Sequence, residues 1–218
     1  MSSRADDSMK GKVKNRADSV IILDFETTGL SPNMGDRAIE IGAVRLVNGE
    51  VRERFQALMN PGQRVSRFIE DYTGISNNML ASAESCEVVM QRFADFMGDD
   101  NLIAHNASFD QRFLDAELAR INRTYVGEFS CSLLLSRRIF QEAHNHKLGE
   151  LVRYANIESS GEFHRALYDS EMTAKVWMAM LTDIGERYGI FDIPFELIKT
   201  LTKTPKKGVD KLLSNYRS

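Results

Sequence analysis

The stretch that decides the fold is Val20-Ile21-Ile22-Leu23-Asp24-Phe25-Glu26-Thr27-Thr28-Gly29-Leu30. Its first four residues are apolar and mostly β-branched, as in a buried strand. Side chains alternate faces along a strand, at about 3.3 Å per residue, so Asp24 and Glu26 emerge on one face, roughly 7 Å apart along the backbone. Two carboxylates so placed repel each other and lose hydration, a cost that shared cations offset. Taken alone, the same pattern also fits a strand that runs out into water with two solvated acids.

Outward from this strand, Gly29, Pro32, Asn33 and Gly35 mark a loop. Ile39, Ile41, Ala43 and Arg45 alternate as in a second strand, Asn48-Gly49 is a hairpin signal, and Val51 to Leu58 returns. Three antiparallel strands follow. Beyond Pro61-Gly62, Val88, Val89, Phe93, Phe96 and Met97 recur at helical spacing up to Gly98. Leu102-Ile103-Ala104 reads as a short strand, followed by a helix from near Ser108 with Phe109, Phe113, Leu114, Leu118 and Ile121 on it. Further helices are predicted over Ser132 to Phe140, Lys147 to Tyr154 and Ala166 to Tyr188. Strands first, then helices alternating with strands, give an α/β fold: a mixed sheet flanked by helices.

Totals narrow the class. The 218 residues suffice for one well-filled domain, and 43% hydrophobic with 27% charged residues is ordinary for a soluble globular protein. No run approaches the roughly 20 apolar residues of a membrane span, and no apolar run near Met1 reads as a secretory signal. Cys86 and Cys131 show no pairing pattern and read as reduced thiols of a cytoplasmic protein. Residues 1–18 are polar and aperiodic and are expected to form a flexible tail, 19–188 the domain, and 189–218 a basic helical appendix. There Pro194 opens a helix with Phe195, Leu197, Ile198 and Leu201, Pro205 breaks it, and six Lys/Arg from Lys199 onward face one acid, Asp210.

Two more segments carry chemistry. In His105-Asn106-Ala107-Ser108-Phe109-Asp110 a strand hands over to a helix, with Ser108 expected as N-cap and Asp110 in the first turn. An acid there also suits the helix dipole without any catalytic role. In His164-Arg165-Ala166-Leu167-Tyr168-Asp169 a histidine precedes the long helix and an acid lies on it. A histidine titrates near neutrality and can take a proton from water, though a lone loop histidine is ordinarily a surface residue. The conjunction outweighs each bland reading: four acids and a base come from separate parts of the chain, all at strand ends or helix starts.

These segments, DFETTG, HNASFD and HRALYD, resemble the three motifs of the DEDDh exonuclease superfamily, with particular likeness to the proofreading epsilon subunit of bacterial DNA polymerase III. The likeness covers residues 19–180, including Ser136-Arg137-Arg138 and His146-Lys147-Leu148. The tyrosine branch of the superfamily would need tyrosine at 165, where Arg165 stands; histidine five residues before Asp169 indicates the histidine branch. The resemblance implies a ribonuclease-H-like fold and two-metal 3′→5′ exonuclease activity on DNA, with preference for single-stranded or frayed ends. All-oxygen ligands favour Mg²⁺ or Mn²⁺ over zinc. By the same likeness Asp24, Glu26 and Asp169 bind metal directly, Asp110 holds the second ion partly through water, and His164 is the general base. Thr27 and Thr28 are expected to contact the 3′ nucleotide, and Leu30 and Phe109 to pack against bases. His105 and Asn106 are expected to shape their loop, and His144 with His146 lacks a third metal ligand. The partners implied are single-stranded or 3′-terminal DNA and a DNA polymerase, with no membrane. The rival readings are a 3′→5′ exoribonuclease of the ribonuclease T or oligoribonuclease type, and a non-catalytic polymerase-associated subunit.

Overall fold

The computed structural model describes residues 15–160 and 164–216. Its centre is a five-stranded sheet in the order β3-β2-β1-β4-β5. The strands are β1 Ile21–Thr27, β2 Ala38–Val47, β3 Glu50–Leu58, β4 Leu102–Ala104 and β5 Phe129–Cys131. β1 pairs antiparallel with β2 and parallel with β4. Asn48 and Gly49 both take positive φ between β2 and β3, as a tight hairpin of the predicted kind requires. The mixed sheet expected from the sequence is therefore present.

Alternation along β1 divides the core. Val20 and Ile22 belong to a cluster with the long helix, whereas Ile21, Leu23 and Phe25 belong to a cluster on the opposite face. In chain order the helices are α1 Arg67–Thr73, α2 Asn77–Ala81, α3 Cys86–Met97, α4 Ser108–Arg120, α5 Ser132–Ile139, α6 Leu148–Tyr154, α7 Ala166–Tyr188, α8 Phe195–Lys203 and α9 Val209–Ser214. α3 and α4 cover one face; α7, backed by α5, α6 and α8, covers the other. Asp24 and Glu26 continue the Val20–Ile22 row past the end of the apolar core, under the start of α7.

Gly42 explains how α7 comes so near. A β-carbon there would lie 2.0 Å from the Leu167 backbone nitrogen and 2.2 Å from the Ala166 carbonyl carbon. Only a hydrogen fits between strand and helix, and the Ser170 hydroxyl donates to the Gly42 carbonyl at 2.9 Å.

Several expectations need correction. Residues 1–14 of the predicted tail lie outside the described residues, but residues 15–18 are tied down: the Ala17 carbonyl accepts from the Trp177 indole at 2.7 Å, and Asn15 and Ala17 bond to Phe195 and Ile193. The segment after Gly189 is helical, but Phe195, Leu197, Ile198, Leu201, Val209 and Leu213 join the main core, so it is no separate appendix. Ser108 is the first helical residue and not the N-cap. Asn106, at φ 69°, turns the chain so tightly that Ala107 takes the cap position already in helical geometry. Val88 is 48% exposed, because Cys86, Val89, Met90, Phe93, Ala94 and Met97 already fill the inward stripe of α3.

Candidate active site

β1, α4 and α7 deliver the predicted residues to one cleft of about 680 Å³, which Asp24, Glu26, Asp110, His164 and Asp169 all line. Oxygens of Asp24, Glu26 and Asp169 lie within 4.8 Å of one another. Asp110 lies behind them, 2% exposed, and its Oδ1 accepts from the Phe25 backbone N–H at 3.1 Å. Asp169 uses its two oxygens differently. Oδ2 accepts from the His164 backbone N–H at 3.0 Å, while Oδ1 is buried with no partner. A buried carboxylate oxygen without a donor, on a residue grouped with two further carboxylates, fits a divalent cation with oxygen ligands.

Burial and mutual repulsion shift the titration of these carboxylates. Burial, then repulsion from Asp169, Glu40 and Asp110, pushes Glu26 up to about 8, partly offset by Arg165. Burial, then Asp110, Glu26, Asp169 and Glu40, raises Asp24 well above the carboxylate range. Burial lifts Asp110 to about 7 against the pull of the Phe25 N–H, and lifts Asp169 to about 6 against the His164 N–H and the imidazole charge. Burial and crowding thus oppose full ionisation of the cluster, and bound cations would relieve that opposition.

His164 is exposed at φ 74°, its ring 4.2 Å from that of Tyr72, centroid to centroid. Leu30 is 77% exposed at the cleft, and Phe109 is half-buried against Phe113 at 5.1 Å. The Thr27 hydroxyl donates to the Gly29 carbonyl at 2.6 Å. Thr28 spends its hydroxyl on Asp36 and on the Arg37 N–H, so its side chain shapes the loop. Asp36 closes that loop by accepting from the Ser31 N–H at 2.9 Å.

His105 lines the cleft but is engaged within the protein. Nε2 lies 3.0 Å from the His146 carbonyl and so donates, leaving Nδ1 to accept from the Ser132 hydroxyl at 2.8 Å. Burial pulls it down to about 4, so it stays neutral. His146 turns its Nε2 to the Phe140 carbonyl at 3.2 Å, and His144 and His146 join no metal-binding group among the described residues.

Sequence reasoning missed two features. Glu40, opposite Glu26 in the β1–β2 register, is fully buried and accepts from Arg165 Nη2 at 2.9 Å, the Ala166 backbone N–H at 3.2 Å and Gln56 at 2.9 Å. It holds the first turn of α7, which carries Asp169. Its only sequence signal was an acid inside an apolar strand. The second is the α1 pair Phe68 and Tyr72, stacked at 5.9 Å on the cleft wall.

Residues 21–177 match the RNase_T family model, described as exonuclease. The chain is 37% identical over 175 residues to the PolC-type DNA polymerase III of Bacillus cereus, and 37% over 172 residues to that of Bacillus subtilis. These matches cover 78% of the chain, which spans about an eighth (12%) of those relatives. Among solved structures it is similar to exonuclease X in complex with 5′-overhanging duplex DNA, with TM-score 0.64, 26% identity, and 84% of this chain and 99% of that one covered. It also shares the fold of the nuclease domain of 3′hExo, a DEDDh family member bound to rAMP, with TM-score 0.66, 22% identity, and 76% and 92% covered.

Proposed function

The chain belongs to the RNase_T exonuclease family, and from that premise we propose that it is a 3′→5′ exonuclease releasing nucleoside 5′-monophosphates from DNA, taking single-stranded or frayed ends. The observation that carries this reading is the convergence of Asp24, Glu26 and Asp169 oxygens within 4.8 Å in a cleft that also holds Asp110 and His164. Two divalent cations, Mg²⁺ or Mn²⁺, held by Asp24, Glu26, Asp110 and Asp169, would supply a water of lowered pKa and neutralise the leaving 3′-oxygen.

The chain's own side chains do the remaining work. An imidazole nitrogen of His164 takes the proton of the attacking water, with its ring held against Tyr72. Leu30 and Phe109 offer apolar faces to bases, a sequence-tolerant grip suited to an unpaired strand. Thr27 and Thr28 shape the wall against the terminal nucleotide. Because the curated relatives are polymerases and this chain spans 12% of them, action beside a DNA polymerase is part of the same proposal.

The test is a digestion series in Mn²⁺ or EDTA on single-stranded DNA, duplex DNA, mismatched duplex and RNA. We expect metal-dependent release of monophosphates, fastest from single-stranded and mismatched DNA. Release from RNA alone would move the reading to an exoribonuclease, since selection for the 2′-hydroxyl rests on pocket shape. No release from any strand would end it.

A further inference from the structure

Most cations on this surface have carboxylate partners: Arg37 with Glu117 and Glu87, Arg54 with Glu171, Arg187 with Asp183, Lys199 with Glu128 and Glu196. Among the described residues, Arg64, Arg112, Lys175 and Lys211 are exposed and have no carboxylate within ion-pairing distance, and the same holds for Arg137, Lys147, Lys203, Lys206 and Lys207. The latter five come from three segments that packing brings together. Arg137 lies in the last turn of α5, α8 ends with Lys203, and these two helices pack on each other, α8 also against β5. Gln141 donates to the Lys206 carbonyl and Arg138 to the Thr204 carbonyl, which ties the 204–207 turn to the end of α5.

Two links join this strip to the cleft. The first runs through His105, which lines the cleft and bonds the His146 carbonyl; the charge of Arg137 is felt at both histidines and that of Lys206 at His146. The second is a hollow of about 240 Å³ with Lys199 and Lys203 on one side and Ala107 and Ser108 on the other, immediately before Phe109 and Asp110. Unpaired cations keep one another at a distance and gain nothing from the fold, so their concentration beside an acidic cleft calls for an anionic occupant.

We infer that Arg137, Lys147, Lys203, Lys206 and Lys207 form a track for the phosphate backbone of the strand being degraded, upstream of the nucleotide in the cleft. A polyanion suits the strip because neutralising each phosphate releases counterions, a gain independent of base sequence. The track also resolves a difficulty of the net charge of −3: the cations that meet nucleic acid are local and do not need a basic protein. This inference rests on the exonuclease reading, and its test separates the two.

The experiment compares the full chain with the triple variant Arg137→Gln/Lys206→Gln/Lys207→Gln. A control variant, Arg52→Gln/Arg54→Gln/Lys175→Gln, removes equal charge from β3 and from α7 beside it. Fluorescence anisotropy with a labelled single-stranded oligodeoxynucleotide long enough to cross the strip is read over a salt series in EDTA. Hydrolysis of a 5′-p-nitrophenyl ester of thymidine monophosphate in Mn²⁺ reads the cleft alone. We expect the strip variant to bind on the order of tenfold more weakly, with the slope of log affinity against log salt shallower by roughly 2, at about 0.7 per lost single-strand phosphate contact. Ester hydrolysis should match the parent, and the control variant should bind as the parent does. Unchanged affinity and slope in the strip variant, or an equal loss in the control, would overturn the track. If the parent hydrolyses neither ester nor strand, the exonuclease reading fails while anisotropy still decides the track.

Discussion

Asp169 illustrates how much one side chain does here. Its Oδ2 fixes the backbone of His164, and its Oδ1 is buried without a partner. Asp169→Asn keeps the shape and removes the charge. We expect release of nucleotides to fall roughly 10²–10³-fold, as when a fixed electrostatic group is lost from an active site. The rise in melting temperature on adding Mn²⁺ should vanish with it. His164→Ala should behave differently: turnover drops on the order of 10²–10⁴-fold, the usual worth of a general base, but the Mn²⁺-induced rise remains. A His164→Ala protein with parental turnover would remove the histidine from the chemistry. A Mn²⁺ shift that survives in Asp169→Asn would remove that carboxylate from the cation site.

At the scale of elements, the close seating of α7 on β2 positions the third motif, and it depends on a missing side chain. Gly42→Ala forces the Ala166–Leu167 backbone away, at a cost of about 1–3 kcal/mol as for other overpacked sites. We expect a lower denaturation midpoint and, under conditions where the variant is fully folded, a further loss of turnover, because Asp169 moves with the helix. Parental turnover in a folded, destabilised variant would detach helix seating from catalysis. Much of this architecture was legible in the sequence. Period-two alternation put Asp24 and Glu26 on one face, Asn48-Gly49 set the hairpin, and the bounds of α7 followed from its apolar spacing. Glu40 was hidden because a buried acid is recognised by its partners, Arg165 and the Ala166 N–H, which are more than a hundred residues away in the chain. β5 was hidden because Phe129-Ser130-Cys131, unlike the equally short Leu102-Ile103-Ala104, is no continuous apolar run. Phe68 and Tyr72 carried no distinguishing signal in the sequence, and only the placement of α1 beside the cleft brings them to its wall.

For the molecule as a whole, the carboxylate cluster makes stability depend on pH and metal together. Glu26 near 8, Asp110 near 7 and Asp169 near 6 all lie above ordinary carboxylates, so the folded state without metal binds more protons than the unfolded chain. Their contribution is complete below the unfolded values near 4 and is lost as pH rises through the folded ones. In EDTA, the melting temperature should therefore fall between about pH 5 and pH 8. Saturating Mn²⁺ should remove most of that fall, because cations bind the ionised native cluster, and binding should release protons. Calorimetry in two buffers of different ionisation enthalpy would count them. A flat EDTA profile, or metal uptake without proton release, would show that the cluster is already ionised.

The backbone at His164, at φ 74°, has one more consequence, for anyone who would engineer this protein. That conformation suits asparagine better than histidine. His164→Asn should thus yield an inert protein at least as resistant to heat as its parent, so a screen for thermal robustness alone would steer towards variants that have traded their reactivity for comfort.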